Sequence, residues 1–195
     1  NFRFKTSATG MLKYYGYFSS NKLGFTTNSI DSLNYLDKFA ISNTNIYHNL
    51  AWKENLAKRW KINLGISYTN NKDDINSGMQ DINKNDVVLG NLEFKKFSVE
   101  TKGNYFNAKA VVEKKLKGLS AARFGMEYNY SNDKLIYTDY SDQQYPSGLK
   151  EHIKSVFGEA DVYATNNLAV KGGLRFEHSA ILDKTNIAPR MSVAY

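Results

Sequence analysis

The 195-residue sequence predicts an all-β, antiparallel up-and-down fold of the kind that builds a transmembrane β-barrel. Three observations predict it. In "RWKINLGISYTNN", residues 59–71, Trp60, Ile62, Leu64, Ile66 and Tyr68 share one parity, while Lys61, Asn63, Gly65, Ser67 and Thr69 share the other. Such alternation marks a strand with one apolar and one polar face. Apolar runs with a helical period are few, which argues against a helical protein. Short and long connections also alternate along the chain, as they do when a meander gathers all its turns at one end.

Eight alternating segments carry this reading, as about 8 strands of a larger sheet. In "NFRFKTSATGMLKYYGYF", Phe2, Phe4, Ala8 and Leu12 oppose Arg3, Lys5 and Lys13. In "NTNIYHNLAW", Ile46, Leu50 and Trp52 oppose Asn45, Asn49 and Lys53. The third segment is 59–71. In "YFNAKAVVEKK", Phe106, Ala108, Ala110 and Val112 oppose Asn107, Lys109 and Glu113. "AARFGMEYNY" sets Phe124, Met126, Tyr128 and Tyr130 against Arg123, Glu127 and Asn129. "VFGEADVYA" sets Val156, Gly158, Ala160, Val162 and Ala164 against Glu159, Asp161 and Tyr163. "LAVKGGLRFEH" turns Leu168, Val170, Leu174 and Phe176 away from Lys171, Arg175 and Glu177. "APRMSVAY" sets Pro189, Met191, Val193 and Tyr195 against Arg190 and Ser192. "KENLAK", "KGLS" and "TNN" read as short turns. Roughly 19–41, 70–103, 138–151 and 179–187 read as long loops rich in Asn, Asp, Ser and Gly.

The apolar face could meet a protein core, a greasy ligand or lipid. From Trp60 to Tyr68 is eight steps, about 26 Å at 3.3 Å each, or about 20 Å of height at a 40° tilt. That is close to the ~25 Å apolar band of an outer-membrane barrel, with Trp60 and Tyr68 at its two interfaces. Trp52 and Trp60 flank one short turn and suit one aromatic girdle. The small Gly and Ala positions of the sixth segment would leave holes in a packed core but not against fluid lipid. The expected partner of this face is therefore outer-membrane lipid. No stretch approaches the length of an apolar membrane helix, which says nothing against strands that cross.

The net charge of +7 is spread along the chain, so no nucleic-acid partner is expected. With no cysteine there is neither a disulfide framework nor a thiolate metal site. His48, His152 and His178 share no metal-ligand spacing. "DDINSG", 73–78, begins like a calcium loop, but counting from Asp74 the twelfth position is Asn85 rather than Glu. No nucleophile-elbow, phosphate-loop or dinucleotide glycine pattern occurs. Neither an enzyme nor a cofactor is expected.

The last third of the chain, "VFGEADVYATNNLAVKGGLRFEHS" followed by "NIAPRMSVAY", resembles the barrel of TonB-dependent outer-membrane receptors. The matching residues are Gly173, Leu174, Arg175, Phe176 and Glu177, then Pro189, Arg190 and Tyr195. The Asn- and Tyr-rich style of residues 1–152 is similar to barrels of this family from Bacteroidetes-like bacteria. The resemblance implies a 22-stranded barrel in the cell outer membrane, plugged by an N-terminal domain. It also implies TonB-driven import of a scarce ligand, such as an iron–siderophore complex or a glycan. Residues 1–195 are expected to be a single partial barrel domain, with the plug and the TonB-contacting segment absent from it.

Two groups of candidate site residues follow. Lys171, Arg175, Glu177, Arg190, Glu159 and Asp161 are expected to line the lumen, as a salt-bridge lattice or in contact with ligand or plug. Tyr137, Asp139, Tyr140 and Tyr145 are expected in or beside a long extracellular loop, where they could grip a small-molecule or oligomeric ligand. Two other readings share the pattern. One is a self-contained eight-stranded outer-membrane barrel of structural or adhesive role, which the terminal Tyr195 suits. The other is a soluble lipocalin-like barrel with its apolar face turned inward.

Overall fold

The computed structural model describes residues 1–163, 165 and 167–195. Alternating β-branched, aromatic and small polar residues put most of the chain into strands. These are β1 (Phe2–Lys5), β2 (Met11–Asn28), β3 (Tyr35–Ala57), β4 (Trp60–Asp81), β5 (Asp86–Val87) and β6 (Phe97–Lys115). They continue as β7 (Ala121–Thr138), β8 (Gln144–Tyr163), β9 (Ala169–Ser179) and β10 (Lys184–Ala194), with one 3₁₀ turn at Glu93–Lys95. All belong to one antiparallel sheet of order β1-β2-β3-β4-β6-β7-β8-β9-β10, and the short β5 adds onto β4. This is the expected meander. The sheet is open: among the described residues β1 and β10 do not pair with each other.

The register explains the alternation. Leu12, Trp52, Leu64, Ala110, Met126, Val156, Phe176 and Ile187 stand side by side across eight strands. The neighbouring rung of opposite parity holds Ala51, Gly65, Lys109, Glu127, Ser155 and Glu177. The apolar rungs cover no core. Among the described residues the buried apolar side chains are Met79, Leu92 and Ala121, whereas Phe124 is 63% exposed and Met126 62%. A water-soluble sheet would have to cover such a face, and lipid covers it without further protein.

The structure departs from the sequence expectation in three respects. The short β5 is a further strand and the first segment is two strands, giving ten rather than eight. Its middle, Thr6–Gly10, is a turn in which Ser7 and Thr9 donate to the Glu54 carboxylate at 2.6 and 2.7 Å. Ala8 therefore lies in the turn, yet the parity survives it, because Phe4 pairs with Leu12 and Phe2 with Tyr14.

Second, the strands run deep into the expected long loops. The connections shrink to 29–34, 82–96, 139–143 and 180–183, and only 82–96 is long. Most of "KENLAK" belongs to β3, and the turn is Lys58–Arg59. The strict short–long alternation thus does not survive. Its cause is chemical: beyond the apolar band the strands are held by polar ladders, such as Asn45 to Asn71 at 2.6 Å and Asn43 to Asp73 at 2.5 Å. Such strands have little hydropathy alternation to read. Each of these four connections places one residue in the left-handed region: Asn34, Lys84, Asp142 and Asp183.

Third, the register sets Trp52 beside Leu64, while Trp60 opposes Ala57. The two indoles share the apolar face but stand on different rungs. Ala164, expected at the end of β8, lies outside the described residues, as does Asn166 of "TNN".

Candidate functional site

The polar face carries two zones. At the end of the sheet holding the turns 58–59 and 116–120, charged side chains form a lattice. Arg123 lies between two carboxylates, at 2.7 Å from Glu113 and 2.5 Å from Asp161. Arg175 bridges Glu127 at 3.2 Å and Glu177 at 2.9 Å, and Lys171 meets Glu159 at 2.9 Å. Lys109 approaches Glu127 at 3.5 Å and stands 5.5 Å from the centre of the Phe157 ring. That ring lies across Gly125, its register partner, where a Cβ would meet it at 2.2 Å. Only glycine leaves the aromatic room to lie flat there. Arg190 pairs in register with Gly173 and, among the described residues, makes no ion pair.

Of the six charged residues expected here, the structure joins five into ion pairs. It adds Arg123, Glu113, Glu127 and Lys109, which complete the lattice from strands β6 and β7. Their parity was legible in the sequence. Their pairing was not, because each pair spans strands whose register the sequence leaves open.

At the other end the same face turns apolar. Leu23, Ile41, Ile75, Val99, Tyr137 and Tyr145 form one continuous rung across six strands. Phe25 and Phe39 are paired 5.4 Å apart, and the Phe97, Tyr137 and Tyr145 rings follow one another at 6.0 Å spacing. Tyr137 and Tyr145 are thus strand residues of β7 and β8, while Asp139 and Tyr140 lie in the 139–143 connection. Tyr145 donates to Asp139 at 3.0 Å, which ties strand to turn. The Ser141 hydroxyl and the backbone N–H groups of Ser141 and Gln143 also donate to Asp139, holding its carboxyl below the ordinary range. The rest of this rung lies within stretches that sequence alone reads as loop.

The 82–96 connection leans over this end. Lys95 reaches Asp31 at 2.6 Å and Asp37 at 2.8 Å, and these two carboxylates raise the pKa of its ammonium. Asp37 lies in register with Met79, which is buried.

On the apolar face, Trp60 receives the Lys114 ammonium at 4.9 Å from its ring, and Trp52 donates to Thr6 at 3.1 Å. Eight residues up β4, Tyr68 donates to Asn104 at 2.9 Å. His48, the register partner of Tyr68, bonds Tyr14 at 2.7 Å, and His152 bonds Tyr128 at 2.8 Å. His178 meets Thr185 at 3.2 Å, so each histidine has a hydroxyl partner. Trp60 and Tyr68 thus bound the apolar stretch of β4, each with a cationic or polar partner.

A many-stranded antiparallel meander with an uncovered apolar band on one face and a charge lattice on the other defines the wall of an outer-membrane β-barrel. Comparison with known families narrows this class. The family described as "TonB dependent receptor-like, beta-barrel" matches residues 1–195. The chain belongs to the TonB-dependent receptor β-barrel family, and its place is the outer membrane. Among solved structures it is similar to the outer membrane transporter YddB from Escherichia coli, at TM-score 0.51 and 12% identity. That likeness of fold covers 98% of this chain and 35% of the YddB chain, so the present chain spans about a third of that length. No curated protein sequence matches the chain.

Proposed function

We propose that residues 1–195 form a single partial domain, one sector of the barrel of a TonB-dependent receptor that imports a scarce ligand such as an iron–siderophore complex or a glycan. The polar face lines the lumen. There Lys171, Arg175, Glu177, Glu159 and Asp161, joined by Arg123, Glu113 and Glu127, stiffen the wall and face the plug, and Arg190, without an ion pair among the described residues, stands beside them. TonB acts through segments outside these residues. The open edges of the sheet support continuation of the wall by further strands, since each unpaired backbone group in lipid costs several kcal/mol. They also weigh against the closed eight-stranded alternative.

The observation that carries this reading is the change of the inner face from charged to apolar and aromatic toward the loop end. A ligand entering from outside first meets Tyr140, Tyr145, Tyr137 and the Phe25–Phe39 pair, beside Asp139. Rings and short polar groups there suit a ligand with apolar or sugar faces. The test uses the complete receptor in energised and de-energised cells, offered labelled ferric siderophores and oligosaccharides in turn. Uptake of one of them only when energised is expected. Alanine at Tyr140 and Tyr145 is expected to weaken its binding about 30-fold, from the loss of two ring contacts of roughly 1 kcal/mol each. Unchanged affinity removes these tyrosines from the site, and uptake without energy removes the receptor reading.

A further inference from the structure

Above its aromatic belt the outer face of the sheet is layered in a way that neither strand formation nor transport explains. The rung of Tyr68, Phe106, Tyr130 and His152 is followed by one of Asn70, Asn104, Asn132 and Lys150. Next comes Lys72, Lys102 and Lys134, each the register partner of the next. Three ammonium groups carried on strands spaced about 4.8 Å apart repel one another. Two are answered from the rung beyond, Lys72 by Asp74 at 3.2 Å and Lys102 by Glu100 at 2.5 Å. On β7 and β8 that rung instead holds Ile136 and Pro146. Lys134 and Lys150 are exposed and have no carboxylate partner among the described residues. Lys150 rests 5.8 Å from the centre of the Tyr130 ring, and Lys154 lies further down β8.

Below the belt the same columns open into an apolar trough. Its floor is Ala108 and Ala110, and its walls include Leu64, Ile66, Met126 and Val156. Lysines above and a trough below are the two halves of one amphiphile's outline. The rung of lysines stands four residues beyond Tyr68, about 10 Å up a strand tilted by 40°, at the level of lipid headgroups.

We infer that Lys134 and Lys150, flanked by Lys102, hold the phosphate of an anionic lipid of the surrounding leaflet, whose acyl chain lies over Ala108 and Ala110. The occupant is a lipid rather than free phosphate because the lysines sit on the membrane-facing side, directly over an apolar surface. Its anion supplies the counter-charge that the outer face of β7 and β8 lacks among the described residues. The inference rests on the outer-membrane placement of the barrel and not on which ligand the receptor carries.

The test is native mass spectrometry of the complete, delipidated receptor in non-ionic detergent, titrated with three probes. These are bisphosphorylated lipid A, its dephosphorylated form and inorganic phosphate. The wild-type receptor is expected to bind the phosphorylated lipid and neither of the others in the same concentration range. The K134Q/K150Q variant is expected to bind it on the order of 20-fold more weakly, about fivefold for each lysine lost. A Lys38→Gln variant, altered far from the trough, is expected to match wild type. Equal binding of the dephosphorylated lipid, an equal response to inorganic phosphate, or an unchanged affinity in K134Q/K150Q would each overturn the proposal. The wild-type comparison of phosphorylated with dephosphorylated lipid decides the matter even if the variant fails to fold.

Discussion

Placing arginine at successive outward positions of β4 tests which face meets lipid. Leu64 is four residues from both Trp60 and Tyr68, about 10 Å of height from each at a 40° tilt, and so lies near the middle of the apolar band. Leu64→Arg is expected to cost 2–4 kcal/mol, the midplane value for a cation on a barrel's lipid face, whereas Tyr68→Arg at the edge is expected to cost about 0–1 kcal/mol. Ile66→Arg falls between them. Asn63→Arg, on the opposite face near Glu113 and Val111, is expected to change stability little. The assay is urea-titrated folding of the complete barrel into short-chain lipid vesicles, read by tryptophan fluorescence and by the gel shift of the folded barrel. A 3 kcal/mol cost shifts the folding equilibrium about 150-fold, well within that range. A buried protein core predicts a different pattern, in which cost follows packing and shows no gradient with height. Equal costs at Leu64 and Tyr68, or a larger cost at Asn63 than at Leu64, would refute the lipid-facing assignment.

Further outcomes follow from the lattice and the loops. Arg123→Ala leaves Glu113 and Asp161 facing each other without their shared cation, and is expected to destabilise the barrel by about 1 kcal/mol after allowance for partial exposure. Adding Glu113→Gln should return part of that loss in the same unfolding assay, and no recovery would place the effect elsewhere. Lys95→Ala releases the 82–96 connection from Asp31 and Asp37, so its amides are expected to exchange faster with deuterium while those of β4 and β6 stay unchanged. Asp139 has a depressed pKa because Ser141, Gln143 and Tyr145 donate to its ionised form. Its contribution to the 139–143 turn is therefore complete above the ordinary carboxylate range and is lost only as pH falls through the lowered folded value. Amide exchange in this turn is expected to show no stabilisation change between pH 8 and 6, a loss in acid, and no such acid limb from this group in Asp139→Asn.

Alternation by itself determined the strands in the lipid zone, their parity and the all-β class, because side chains on a strand change face at every step. The short 116–120 turn was legible too, at "KGLS", whereas most of "KENLAK" is strand; the family resemblance was legible in "GGLRFE" and "PRMSVAY". The outward faces of Trp60, Leu64 and Phe124 follow from sequence because water and lipid sort them without reference to any neighbour. What tertiary structure alone decided is whatever depends on register. It showed that Leu23, Ile41, Ile75 and Val99 make one rung with Tyr137 and Tyr145, and that Arg123 lies between Glu113 and Asp161. It also brought Lys72, Lys102 and Lys134 side by side from positions thirty or more residues apart. The polar upper strands escaped the sequence for a related reason. Asn, Ser, Thr and Asp on both faces carry no hydropathy contrast, and their strand character comes from hydrogen bonds to partners that exist only once the sheet has formed.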